Sequence, residues 1–457
     1  MLFRSVAASA ARDVIADGAA IASAERDGLF ACLAGFDAVV LAVSGGADSM
    51  AMLHLAASWA HDQGRSAPKL SVATVDHGLR PGSAAEARAV ATIAAQLGLA
   101  YSTLTWTGAK PARGIQAAAR TARYRLLAGH ARAHRIDAVA AAHTLDDQAE
   151  TLLMRLARGS GVDGLAAMQL QASIEGVAVL RPLLGIARAR LRATLRQQGA
   201  TWIEDPTNAR PEFERVRWRG ARGELDALGL TARPLGLAAR RLGRARSALD
   251  AIAAACARPE RGIVTVHPLG YAEIDWPALL LLPAEIRLRL LGRLIASIGG
   301  GTAPVSLAGL EAMTEGLGWC PPAGRTLGRV AFRVAPGNRV LLLREPGRAP
   351  PVPLLLAPGT DATFDGRFTV AASAALDAPI TVAALLAGGL RQLAAAGVPR
   401  PAAPAAVLCM LPGFWRAERL VAAPLLGYID TRLEAAHFGC AFTNRPFPVC
   451  DGGAQDG

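Results

Sequence analysis

Two clusters hold the side chains of this chain best suited to chemistry: Ser44-Gly45-Gly46-Ala47-Asp48-Ser49 and, further along, His143-Thr144-Leu145-Asp146-Asp147-Gln148-Ala149-Glu150. In the first, paired glycines permit a tight turn and a close approach of backbone to a ligand, and the serines add hydroxyl donors. A helix starting directly after the loop would add free N–H groups and the positive end of its dipole. A phosphate suits such a cradle, and the apolar run 38–43 before it reads as a strand. The loop is not Gly-x-x-x-x-Gly-Lys-Ser/Thr; Asp48 stands where that motif carries its lysine. An acid beside phosphates calls for a cation, so Mg²⁺ near Asp48 is expected.

In the second cluster, a helix beginning near Asp146 puts Asp147 and Glu150 on one face, with His143 in the loop above them. Such a set can hold an ammonium group, ligate Mg²⁺ or act as a base. Acids at a helix start also cap it and suit its dipole, so a structural role competes. Asp76 and His77 follow a third apolar run and line the nucleotide, unless His77 only caps a turn.

Positioning these groups requires a parallel sheet. Strands are expected at 38–43, 70–75, 101–106, 138–142 and 177–180, and helices at 49–61, 84–97, 115–134, 146–158 and 188–198. This alternation is the mark of an α/β layer structure, whose ligands gather at the carboxyl ends of the strands. All three polar clusters fall there. Beyond it, 224–301 reads as a helical domain, with Leu242, Leu249, Ile252 and Ala255 on one face. A proline-rich linker is expected at 349–356 within an α+β region, 302–457.

Charge sharpens this division. The chain of 457 residues carries +12 overall, yet 181–247 alone holds 15 Arg against 6 acids. Arginine forks match phosphodiesters, so this block is expected to contact nucleic acid; a solvated arginine-rich helix face is the plain alternative. No apolar run approaches the roughly 20 residues of a membrane helix. The first 20 residues lack the apolar core of a secretory signal, so a cytoplasmic protein with no membrane partner is expected. Six scattered cysteines include no Cys-x-x-Cys pair, which argues against a zinc ribbon or disulfide framework.

The loop at 44–49 resembles the PP-loop of the ATP pyrophosphatases. His-Thr-x-Asp-Asp-Gln-x-Glu-Thr at 143–151 is similar to a signature of the tRNA(Ile)-lysidine synthetases. The resemblance extends, in the family's order, to Val75–Arg80, Gln116–Tyr124, Arg158–Leu165, Arg181–Leu184, Glu204–Asn208, Phe213 and Arg215–Arg219. It covers about residues 36–220. It implies a PP-loop catalytic domain over 1–223, with 224–301 a tRNA-contacting helical segment and 302–457 an accessory tRNA-gripping region. The implied reaction joins the ε-amine of L-lysine to carbon 2 of the first anticodon cytidine of a CAU-anticodon isoleucine tRNA. The cytosine oxygen attacks the ATP α-phosphate, pyrophosphate leaves, and the amine then displaces AMP.

By the same resemblance Ser44, Gly45, Gly46, Ala47, Asp48 and Ser49 bind ATP, Asp48 lies near Mg²⁺, and Arg123, His143, Asp147 and Glu150 are catalytic. Asp76 and His77 are nucleotide contacts, and Arg215, Arg217 and Arg219 contact tRNA. The oligomeric state is open, a homodimer among the options. Val216 replaces the family's asparagine and Arg210 an acid. Two rival readings are a thiolase-like PP-loop enzyme, which would need sulfur-handling cysteines, and a nucleotide-dependent RNA-binding module without chemistry on the RNA.

Overall fold

The computed structural model describes residues 18–78, 82–108, 110–111, 114–204, 214–301, 305–315, 324–347, 350–430, 437–443 and 446. Two compact units divide the chain, Met1–Arg246 and Ser247–Gly457.

In the N-terminal unit, α1 (Ser23–Phe30) leads into β1 (Ala38–Ala42), α2 (Ala47–Gln63), β2 (Lys69–Asp76), α3 (Ser83–Gln96), β3 (Ala100–Thr105), α4 (Ile115–Ala133) and β4 (Ala138–Ala141). There follow α5 (Leu145–Leu156), α6 (Val162–Leu165), β5 (Gln171–Ile174), β6 (Val177–Leu180), α7 (Arg188–Gln197), α8 (Glu214–Gly220), α9 (Arg222–Ala227) and α10 (Ala232–Cys256). The sheet order is β3-β2-β1-β4-β6-β5. All pairs are parallel except β5 with β6. The expected strands and helices of this region are present; β5, an antiparallel edge strand, is an addition.

β1 lacks polar alternation because both its faces are covered. Val39 and Leu41 pack with Met50 and Leu53 of α2, Val90 of α3 and Leu191 of α7. Val40 and Ala42 pack with Tyr124 and Leu127 of α4 on the opposite face. The chain leaves β1 for β2 on one side while β4 lies on the other, so the carboxyl ends of β1 and β4 flank the switch point of the sheet.

The helical segment does not begin a separate domain at residue 224. Leu235 and Ala239 of α10, with Trp218 and Leu225, pack on Ala149, Leu152 and Leu153 of α5. Gly236 permits that approach, because a side chain there would run into Leu145. The boundary of the compact unit therefore falls within α10. Ile252, expected on the apolar face, is about half exposed, and Ala253 is buried in its place.

The C-terminal unit is richer in strands than 224–301 promised. β7 (Val264–His267) and β8 (Tyr271–Asp275) form a hairpin that joins β9 (Thr326–Leu327), β10 (Val330–Ala335) and β11 (Arg339–Arg344) in one antiparallel sheet, ordered β7-β8-β11-β10-β9. Strands β10 and β11 pair antiparallel, from Val330 opposite Arg344 to Ala335 opposite Arg339. Helices α11 (Trp276–Leu280), α12 (Ala284–Gly299) and α13 (Leu307–Thr314) pack in the same core. Then β12 (Leu354–Leu356), β13 (Asp361–Phe364), β14 (Phe368–Ala372), β15 (Ile380–Ala384), α14 (Leu386–Ala395), α15 (Ala405–Cys409), β16 (Pro412–Arg416), β17 (Arg419–Ala423), β18 (Tyr428–Ile429) and β19 (Phe438–Phe442) complete it. They form the sheets β12-β15-β16-β17-β18 and β13-β14-β19. The expected linker thus ends in a strand, since β12 pairs with β15.

Candidate active site

β1 ends and the chain turns through Ser44-Gly45-Gly46 into α2. Gly45 has φ +87°, in the left-handed region, and a Cβ there would lie 2.8 Å from Ile203. Only glycine takes both constraints without strain. The Gly45 carbonyl accepts from Ile203 N–H at 2.9 Å. Ser49 Oγ donates to the Gly46 carbonyl at 2.9 Å and accepts from Ser44 N–H at 3.1 Å. The Ser49 hydroxyl thus shapes the loop from behind, while Ser44 is exposed. Ala47 is buried as the first residue of α2.

Asp48 sits in the first turn of α2 and accepts from Arg188 Nε at 2.9 Å through Oδ2. Its Oδ1 is buried and has no hydrogen-bond partner. Burial raises the Asp48 carboxyl above the ordinary carboxylate range; Arg188 opposes this, and Asp147 and Asp146 reinforce it. An unpartnered carboxylate oxygen under a phosphate-shaped loop fits a hard cation. Among the described residues no trio of His, Cys, Asp or Glu could hold a metal alone. A cation at Asp48 would be shared with phosphate oxygens, the usual arrangement for Mg²⁺.

From the end of β4, Thr144 caps α5. Its N–H and Oγ1 each donate to Asp147 Oδ2 at 2.9 Å, and Asp147 N–H donates back to Oγ1 at 3.3 Å. Asp147 is therefore one half of a capping box. Its other oxygen, Oδ1, accepts from Arg188 Nη2 at 3.2 Å. Burial opposes its ionisation, but Arg188, the Thr144 amide and His143 together hold the carboxyl below its ordinary range. Glu150, one turn on, accepts from Arg219 Nε at 2.6 Å and lies 3.8 Å from Arg188 Nη1. Asp146 accepts from the Arg188 backbone N–H at 2.8 Å and from the Arg222 side chain. Gln148 is structural: its side chain makes paired hydrogen bonds, at 2.9 and 2.8 Å, with the Met168 backbone.

A second corner is cationic. Burial pushes the His143 imidazole down to about 3, with Arg123, Arg181 and Arg120 pushing the same way and Asp147 opposing. His143 is therefore neutral near pH 7, and its Nδ1 is buried without a partner. His77 is likewise held down by burial and by Arg123, and its Nδ1 also lacks a partner. Arg123, on α4, thus influences two strand-end histidines, while burial disfavours its own charge. Asp76, not His77, closes the turn at the end of β2, accepting from Gly78 N–H at 2.8 Å. His77 meets the edge of Trp106 with ring centroids 6.1 Å apart.

The basic block divides in the structure. Arg188, Arg219 and Arg222 pair with Asp48, Asp147, Glu150 and Asp146; Arg190 pairs with Glu25. Arg219, expected to face RNA, thus directs its guanidinium to Glu150, because α8 packs against α5. Arg217 is exposed, and Arg215 and Val216 are half-buried on α8. Arg210, Asp205–Asn208, Phe213, Leu79 and Arg80 lie outside the described residues. Arg188 joins the site without having been singled out, and Asp146 and Arg181, which the motifs contain but to which no role was given, join it as well. Arg188 heads the expected helix at 188–198, but nothing in its local sequence points it at the phosphate loop.

The four described cysteines, Cys32, Cys256, Cys409 and Cys440, are free. Burial raises Cys32 to about 11 and Cys440 to about 12, which leaves both as unreactive thiols.

Residues 22–221 match the family model of the PP-loop domain. The chain is 46% identical over 302 residues to a tRNA(Ile)-lysidine synthase of Bradyrhizobium sp., covering 65% of this chain and 84% of the relative. It is 47% identical over 309 residues to the tRNA(Ile)-lysidine synthase of Rhodopseudomonas palustris, covering 66% and 86%. With that of Ruegeria pomeroyi it shares 40% identity over 405 residues, covering 85% and 88%. A phosphate loop at one strand end, a buried acid set at the next and likeness over most of both chains have one reading: this chain belongs to the tRNA(Ile)-lysidine synthase family.

Proposed function

We propose that the chain joins the ε-amine of L-lysine to carbon 2 of the first anticodon cytidine of a CAU-anticodon isoleucine tRNA, cleaving ATP to AMP and pyrophosphate. The observation that carries this reading is the meeting, at adjacent strand ends, of the 44–49 loop with the carboxylates of Asp147 and Glu150 and a neutral His143. In the first step the cytosine oxygen attacks the α-phosphorus and pyrophosphate leaves; in the second the amine nitrogen bonds to carbon 2 and AMP leaves with that oxygen.

The loop holds the phosphates through backbone N–H groups and the Ser44 hydroxyl. A Mg²⁺ held at Asp48 would neutralise phosphate charge. Asp147 and Glu150 receive the lysine ammonium, which must lose a proton before it can attack. His143, neutral and with an unpartnered buried nitrogen, accepts a hydrogen bond from the reacting amine; with its imidazole pushed down to about 3 it does not keep the proton, which passes to water. Arg123 stands over developing negative charge, and His77 lies on the nucleotide side. Such catalysis rests on positioning and charge neutralisation.

Arg215 and Arg217 contact the tRNA backbone, and the C-terminal unit grips the tRNA beyond the anticodon. The enzyme acts in the cytoplasm; among the described residues no helix is long and apolar enough to cross a membrane. The test is transfer of radiolabelled lysine to a purified CAU-anticodon isoleucine tRNA transcript with ATP and Mg²⁺, beside a transcript whose anticodon cytidine is uridine. Label on the first alone is expected. ATP turnover to AMP without label on either would discard the substrate.

A further inference from the structure

Arg188 is the residue on which the acidic corner converges. It opens α7, where a cation opposes the helix dipole, so its place there serves no helix-capping purpose. Its backbone N–H is fixed on Asp146 at 2.8 Å. The side chain is divided among three acids: Asp48 at 2.9 Å through Nε, Asp147 at 3.2 Å through Nη2 and Glu150 at 3.8 Å from Nη1. None of these is the paired fork that arginine makes with a carboxylate or phosphate at its strongest. Asp48 in turn keeps Oδ1 buried and unpartnered. Burial, reinforced by Asp147 and Asp146, raises the Asp48 carboxyl, and Asp48, Asp147 and Asp146 raise the Arg188 guanidinium well above its ordinary value against the effect of its burial.

The loop itself contains no lysine or arginine, although it is shaped for phosphates. We propose that Arg188 and the magnesium ion of ATP are alternative partners of Asp48, and that Arg188, displaced by the metal, gives the triphosphate the cation its loop lacks. The inference rests on the reading that the loop binds ATP. Displacement is geometrically economical. The Arg188 Cα is held by the Asp146 contact, so only the side chain turns, and Nη1 makes no hydrogen bond among the described residues. The triphosphate then offers the planar acceptor pair that three separate acids do not.

The experiment is isothermal titration of the whole protein with Mg²⁺ alone and with Mg²⁺ plus a non-hydrolysable ATP analogue, for wild type, Arg188→Gln and Arg188→Lys. Arg188→Gln is expected to weaken the nucleotide by roughly 10- to 100-fold, the worth of a charge-assisted contact. It is also expected to tighten Mg²⁺ alone, because the competitor for Asp48 is gone. Arg188→Lys, which keeps the charge and loses the fork, should move both affinities the same way by less; it carries the test if the glutamine variant does not fold. Opposite shifts support the inference. Parallel losses, or no change in either affinity, overturn it and indicate a structural ion pair. Wild-type protein that binds no nucleotide would overturn the ATP reading itself.

Discussion

Asp365 in the C-terminal unit and Asp48 in the N-terminal unit are both carboxylates set among arginines, and they are finished differently. Asp365 Oδ1 accepts from Arg344 Nη2 and Arg329 Nη2 at 3.0 Å each. Its Oδ2 accepts from Arg367 Nε at 2.9 Å and Arg344 Nε at 3.0 Å. Arg367 gives its remaining donors to the carbonyls of Gly270 and Met410, at 3.3 and 3.2 Å. Burial lowers Arg367 to about 10, where it is still charged at neutral pH. Every oxygen is used, and the cluster ties the β13–β14 turn to β11 and to the loop before β8. The Asp48 cluster leaves Oδ1 without a partner and crowds four acids around Arg188, Arg219 and Arg222. A satisfied buried network is architecture; an unsatisfied one of the same groups is a binding site in waiting.

That contrast breaks if the acids of the N-terminal cluster prove to be structural. Asp147→Asn should reduce lysine incorporation by at least about 100-fold, the scale of losing one charge aimed at the reacting groups. It should spare folding, since asparagine can still accept from Thr144. Labelled-lysine transfer beside filter retention of tRNA checks this; undiminished incorporation would remove Asp147 from the chemistry.

The stability half of the comparison is tested by a matched pair. Asp365→Asn leaves Arg344 and Arg367 buried beside a neutral group and should cost about 3–5 kcal/mol in denaturant unfolding. Asp48→Asn removes one charge from an acid-rich cluster and should stay within about 1 kcal/mol of wild type, while Mg²⁺-dependent nucleotide binding is lost. Equal destabilisation by both would erase the distinction.

His143 gives a pH signature. Its folded pKa, about 3, lies below the ordinary 6.5, so the unfolded chain takes up a proton that the folded one refuses. Stability is therefore unaffected by this group above about 6.5 and falls as pH drops from there toward 3, by up to about 1.4 kcal/mol per pH unit. His143→Gln should flatten that slope between pH 6.5 and 4, above the range where Asp147 also titrates; an unchanged slope would mean the imidazole is not held neutral. The smallest effect is expected at Arg222, whose side chain is 48% exposed in its pair with Asp146. Arg222→Gln should cost at most about 1 kcal/mol, measured by thermal unfolding with and without added salt.

The phosphate loop and the acid cluster were legible because each is contiguous and borders an apolar strand. The glycines, the serines and the Asp147–Glu150 spacing carry their meaning within one turn of helix. The strands at 264–267 and 271–275 were not, because two short runs in a helical stretch pair as a hairpin whose further partner, β11, comes many residues later. Ile252 was misplaced for a related reason: the choice between neighbouring apolar residues of α10 is made by what the helix packs against, not by its own periodicity.

By itself, the sequence determined the sheet of the N-terminal unit, the loop that fits phosphate, the acids that fit an ammonium or a cation, and the family. Only the tertiary structure decided that Asp147 is both cap and site, that Arg219 faces Glu150, and that Arg188 reaches Asp48 from 140 residues away. Local chemistry is written in neighbouring residues. Charge pairing across a sheet edge depends on how α5, α7 and α8 are brought together, and packing over the whole unit sets that.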